Sequence, residues 1–170
     1  YLSAKCIENL RISQQQILRS AEISQKVQAI ESTIEGYSRK RNVFILTGNH
    51  QLLDDSTQDV TNAMDNLREL RSLVNNPRQE LALSSLDSLV KAAITFTQQA
   101  LITYNSGHAE DATKLISNSK GSHINNIKAA SRQIQRFEDT NLKKTIRQND
   151  LFSRRIEYAD FATLLFGIAV

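Results

Sequence analysis

Apolar side chains recur along this chain at alternating steps of three and four. Val27, Ile30, Ile34, Tyr37, Arg41 and Phe44 follow that rhythm, and Arg41 is its polar exception. Leu67, Leu70 and Val74 repeat it, as do Leu83, Leu86, Val90, Ala93 and Thr97. A longer stripe runs through Ile124, Ile127, Ser131, Ile134, Phe137, Asn141, Gln148, Phe152, Ile156 and Ala159. This spacing is the a/d seam of helices packed side by side, so each stripe predicts bundle core. The stripes thin toward the chain ends. The last becomes more polar after residue 137, and the first helix is polar before about residue 24, with Ser13, Gln14, Gln15, Gln16, Ser20 and Ser24.

Breakers divide the pattern. The chain holds one proline and five glycines, too few for the many turns of a β fold. Gly48, Gly107 and Gly121 each follow an apolar-periodic segment, as a C-cap glycine does. Pro77 after Asn75-Asn76 marks a helix break and a fresh start. Five helical segments result, at about 1–47, 51–75, 77–106, 109–118 and 121–168. In the stretch Val43 to His50, VFILTGNH, the apolar run stops at Thr47, Gly48 and Asn49. These three residues are expected to form the turn at the far end of the first helix, with Gly48 supplying the left-handed conformation.

Lengths then set the architecture. At 1.5 Å per residue the first helix spans about 70 Å, the second about 36 Å and the third about 44 Å. Short connections force antiparallel neighbours. The expected fold is all-α: an up-down-up-down four-helix bundle whose two long helices continue as a membrane-proximal two-helix stalk, near residues 1–20 and 140–160.

Composition narrows the function. The chain of 170 residues is 40% apolar and 23% charged, which suits one folded domain and not a disordered segment. Net charge is +3, and residues 120–160 hold nine Lys/Arg against five Asp/Glu. No basic run with interleaved aromatics appears, so nucleic acid is not expected as a partner. The single Cys6 excludes an internal disulfide. The last ten residues, FATLLFGIAV, carry no charge. Ten are too few to cross a bilayer, which takes about 20. The expectation is a domain at 1–160 followed by the start of a truncated transmembrane helix at 161–170.

Three segments carry a family resemblance. FILTGNHQLL (Phe44–Leu53) resembles the aromatic-aliphatic-Leu-Thr-Gly element of CHASE3 domains. LRELRSLVNNPRQELALSSLDSLV (Leu67–Val90) is similar to that family's Leu-x-x-Leu run, Asn-Pro break and following helix. GHAEDATKLISNSKGSHINNI (Gly107–Ile127) resembles its Gly-x-x-x-Ala and Ser-x-x-Gly segment. Together they cover about 40–140. Asn42-Val43 stands where the family usually has Arg-Gly or Arg-Ser, and Ser56 where it often has tyrosine, which weakens any transfer of residue roles. The resemblance implies an extracytoplasmic (periplasmic) sensor domain of a bacterial membrane receptor, held by flanking spans. It implies an unidentified small-molecule or protein ligand. The effector, a histidine kinase first and otherwise a diguanylate cyclase or chemoreceptor module, would lie outside this chain. A structural spacer bundle and a chemoreceptor-type ligand domain share the layout and remain alternatives. Thin apolar stripes at 1–35 and 125–160 suggest a parallel homodimer along the stalk.

No catalytic set is present. There is no Gly-rich phosphate loop, no zinc spacing and no Glu-x-x-His for a di-iron site, so neither enzyme activity nor a cofactor is expected. The remaining candidates are His50, His108 and His123, which the topology is expected to gather at the membrane-distal tip near Asp54, Asp55, Glu110 and Asp111. Three imidazoles beside carboxylates could hold a divalent cation or respond to pH, although their spacing matches no metal motif.

Overall fold

The computed structural model describes residues 2–53, 56–119 and 121–167, with side chains placed from residue 7 to 151 and at 154. Asp54 and Asp55 lie outside it, as do the side chains of 161–170. The chain is an all-α helical bundle. The elements are α1 (Leu2–Thr47), a 3-10 turn (His50–Leu53), α2 (Ser56–Leu73), α3 (Pro77–Asn105), α4 (Ala109–Ser119) and α5 (Ser122–Gly167). Among the described residues no helix is long and apolar enough to cross a membrane.

The expected breakers set the helix ends. Gly48, Gly107 and Gly121 all adopt positive φ. Asn76 caps α3, its Oδ1 accepting from the Arg78 N–H at 2.9 Å, and Pro77 takes the first helical position, where no N–H is needed.

The chain divides into two compact units: Ile23–Phe137, and Tyr1–Glu22 with Glu138–Val170. In the first, α1 and α2 run antiparallel, tied by Lys26 to Glu69 and by Lys40 to Asp59 at 2.8 Å. Lys128 on α5 reaches Glu35 on α1 at 3.0 Å. The main core joins Ile23, Val27, Ile30 and Ile34 of α1 to Leu67 and Leu70 of α2, Leu83, Leu86 and Val90 of α3, and Ile127 and Ile134 of α5. A second, smaller core joins Phe44 and Ile45 of α1 to Ala100 of α3 and Ala112 of α4. The fourth bundle position is therefore filled by two pieces in succession, α4 beside the small core and α5 beside the main one.

In the second unit α1 and α5 pair through polar side chains. The Ser13 hydroxyl meets Asn149 Oδ1 at 2.7 Å, and the Thr145 hydroxyl donates to Gln16 Oε1 at 3.1 Å. The buried residues described here are Ser13, Ser20 and Glu138, with no apolar one among them.

One register expectation is overturned. Asn141 and Gln148, assigned above to the α5 seam, are exposed, and Phe137 is half-buried. The seam instead runs Ile127, Ser131, Ile134 and Glu138, then the half-buried Leu142, Thr145 and Asn149. Glu138 stands seven residues after Ser131 and so returns to the same face. The one-residue offset between the apolar Phe137 and the charged Glu138 carries on to Asn141 and Gln148, while the side chains of Phe152, Ile156 and Ala159, also assigned to the seam, lie outside the described ones.

Candidate functional site

The turn after α1 satisfies itself. The Thr47 hydroxyl donates to the Val43 carbonyl at 2.7 Å and accepts from the Asn49 N–H at 3.3 Å. Gly48 donates its N–H to the Phe44 carbonyl at 2.7 Å with φ of 70°, and Asn49 Oδ1 accepts from the Gln51 N–H at 3.2 Å. These bonds account for the Thr47, Gly48 and Asn49 side chains and backbone as turn chemistry.

The described ring contacts set His50 and His123 against neighbours at different points along α3. The His50 ring packs edge-on against Phe44 with centroids 5.0 Å apart, and Phe44 meets Tyr104 at the same distance. His108 is exposed just before α4. His123 lies on Phe96 at 4.6 Å, two turns back along α3 from Tyr104. The reason is α4 itself. Its 11 residues, about 16 Å of helix, carry the chain back along α3 before α5 begins. Glu110 and Asp111 pair instead with Lys114, at 3.1 and 3.8 Å. Among the described residues no group of three His, Cys, Asp or Glu side chains could hold a metal.

Two concave regions stand out among the described residues. One is an open groove of about 340 Å³ between α1 and α5, lined by Gln28, Glu31, Ser32, Glu35, Lys128, Arg132 and Gln135. Its side chains are exposed or half-buried and its charges of both signs are solvated. The other is a cavity of about 70 Å³ at the α4–α5 joint, lined by Ser38, Arg41, Asn42, Ala93, Phe96, Ile116, Ser119, Gly121, His123 and Ile124.

Arg41 distinguishes the second. It sits between Tyr37 of the main core and Phe44 of the small core, and it is 2% exposed. Its Nε and Nη2 donate to Asn42 Oδ1 at 3.3 and 3.2 Å, and its guanidinium lies 5.7 Å from the centre of the Phe96 ring. Nη1 is buried without a hydrogen-bond partner. Among the described residues no carboxylate pairs with Arg41. Burial pushes its pKa down to about 10, against a smaller upward pull from Tyr37, so the side chain stays charged at neutral pH. A guanidinium removed from water with no anion opposite costs several kcal/mol. Thr97, buried in α3, likewise leaves its hydroxyl unpartnered. The layer between the two cores is thus polar and incompletely satisfied.

Arg41 was visible in the sequence as the odd member of its stripe. Its neighbours were not, because Phe96 and His123 come from helices that meet it only in the fold.

The profile of the CHASE3 domain matches residues 13–148. The chain belongs to the CHASE3 family. CHASE3 domains are extracellular sensory domains of signalling receptors, without catalysis of their own. The match spans α2, α3, α4 and the inner reaches of α1 and α5, so the Arg41 cavity lies inside the CHASE3 region. No curated protein and no solved structure matches the chain significantly.

Proposed function

We propose that this CHASE3 domain is the extracytoplasmic, periplasmic input module of a transmembrane receptor, a sensor histidine kinase of a two-component system, and that it works as a parallel homodimer. The family match over most of the chain carries this reading. The receptor is anchored by flanking spans, one of which starts in the apolar run 161–170. The kinase lies outside this chain.

The dimer reading draws on exposed apolar side chains. On α1, Ile7, Leu10, Ile12 and Leu18 are exposed, and on α5 so are Ile146 and Leu151. A two-helix unit with polar rungs inside and aliphatic side chains outside is suited to a second copy, which would complete four seams. The dimer contact then runs along residues 1–35 and 125–160. Signal leaves as a small shift of α1 against α5, since two packed helices have few other ways to move. The Ser13–Asn149 and Gln16–Thr145 bonds can be remade after such a shift, which an interlocked apolar seam would resist.

Single cysteines placed along 7–22 and 138–151 of the membrane-embedded receptor test this. Disulfide yield should rise and fall with a helical period, peaking at Ile7, Leu18 and Leu151. A flat profile rules the dimer out.

A further inference from the structure

The α4–α5 joint brings a helix start to an unneutralised cation. Arg41 Nη1 is buried and unpartnered, and Arg41 lines the cavity together with Gly121, just ahead of α5, and with His123 and Ile124 from its first turn. The first amides of a helix have no acceptor within it, and they carry the positive end of its dipole. The α5 ladder opens with the Asn125 N–H bonding to the Gly121 carbonyl, and its first turn holds no acidic side chain. Both features favour negative charge at one place.

We propose that this cavity binds a short-chain monocarboxylate, whose carboxylate is held by Arg41 Nη1 and the N-terminal amides of α5. The apolar part of the lining favours an organic acid over a bare inorganic anion. Ala93, Phe96, Ile116 and Ile124 offer apolar wall to a hydrocarbon end. A volume of about 70 Å³ suits a molecule of acetate or propionate size and excludes a nucleotide or a peptide. One guanidinium matches one negative charge, and among the described lining residues Arg41 is the only lysine or arginine. Gly121, which is exposed, marks the side open to solvent.

The proposal deepens the sensory reading and rests on it only for its consequence. A carboxylate bridging Arg41 and the start of α5 would tie together the two helices through which signal is proposed to leave.

Thermal unfolding and calorimetric titration of this chain test it, in sodium acetate, propionate, chloride, nitrate and phosphate at one ionic strength and neutral pH. Acetate or propionate should raise Tm above the chloride value, and the rise should saturate. Arg41→Met should weaken that binding by roughly ten- to hundredfold, the loss expected for a charge-assisted hydrogen bond. Ser38→Leu narrows the cavity while keeping the cation, and it should also remove the rise; this variant decides the matter if Arg41→Met does not fold. Carboxylates that behave like chloride overturn the proposal. So does an equal response to nitrate or phosphate, which would mean an adventitious ion only, and so does a saturable carboxylate effect that survives Ser38→Leu. The readout is binding to this chain, so its failure leaves the receptor reading standing. A failed cross-linking scan would likewise leave the binding result untouched.

Discussion

At the scale of single residues, Arg41 is the position where stability and function pull apart. Its folded-state pKa of about 10 lies below the ordinary value of an arginine. Between those values the folded chain binds fewer protons than the unfolded one, so this group makes stability rise with pH across that window. At neutral pH its burial cost is therefore undiminished. Replacing Arg41 with methionine removes the charge and extends the apolar seam from Tyr37 to Phe44. It also gives up the contact with Phe96, worth about 0.5–1 kcal/mol. We expect a net stabilisation of about 1–3 kcal/mol in urea unfolding, as when buried ionic groups give way to packed apolar ones. A destabilised variant would mean that the guanidinium holds the two cores together. Sequence alone exposed the anomaly, a charged residue at a core position, but not what it faces. The same limit applies to His123, whose neighbour Phe96 is 27 residues away and becomes its neighbour only because α4 turns the chain back.

At the scale of elements, the helix boundaries were legible because backbone chemistry writes them locally. Gly48, Gly107, Gly121 and the Asn76–Pro77 pair each end or begin a helix through their own φ angle or side chain. The register of α5 beyond residue 134 was less legible. There apolarity and helical geometry disagree, with Phe137 apolar and Glu138 in the seam, and geometry prevails once the polar face has partners. Glu35 shows how α1 holds α5 by charge. The hydrogen-bonded Lys128 ammonium, aided by Arg39, keeps its carboxyl below the usual 4.5. A depressed carboxyl adds stability above its ordinary pKa and loses it as pH falls through the lower, folded-state value. Solvent reaches both partners, so the contribution is about 0.5 kcal/mol after screening. Glu35→Gln should therefore lower stability by that amount near neutrality and by nothing once the pH has fallen below the depressed folded-state value, where both proteins carry a neutral side chain. Urea unfolding across that pH range measures the difference, and it should shrink further in high salt.

At the scale of the whole molecule, the same two helices serve two unlike units. Between 23 and 137 the buried set is mostly aliphatic and aromatic, and each buried valine, leucine, isoleucine or phenylalanine contributes about 1.5–3 kcal/mol. In the other unit the described buried residues are Ser13, Ser20 and Glu138, and hydrogen bonds replace apolar contact. Net gains from such bonds are about 1 kcal/mol each. Helices held this way open locally more often than helices held by a core. The thinning stripes in the sequence already pointed to this contrast, since serine and glutamine at seam positions leave little to bury. Native-state amide exchange should separate the two. Residues 7–22 of α1 and 138–151 of α5 should exchange at least roughly tenfold faster than 23–47 and 122–137 of the same helices. A paired Ser13→Leu and Asn149→Leu replacement puts an apolar contact where the 2.7 Å hydroxyl bond stands. It should slow exchange in the 7–22 and 138–151 segments and leave the rates between 23 and 137 unchanged. Uniform protection along α1 in the unmodified protein would show that the polar rungs bind as tightly as the core, and a shift of α1 against α5 would then have no soft element to act through.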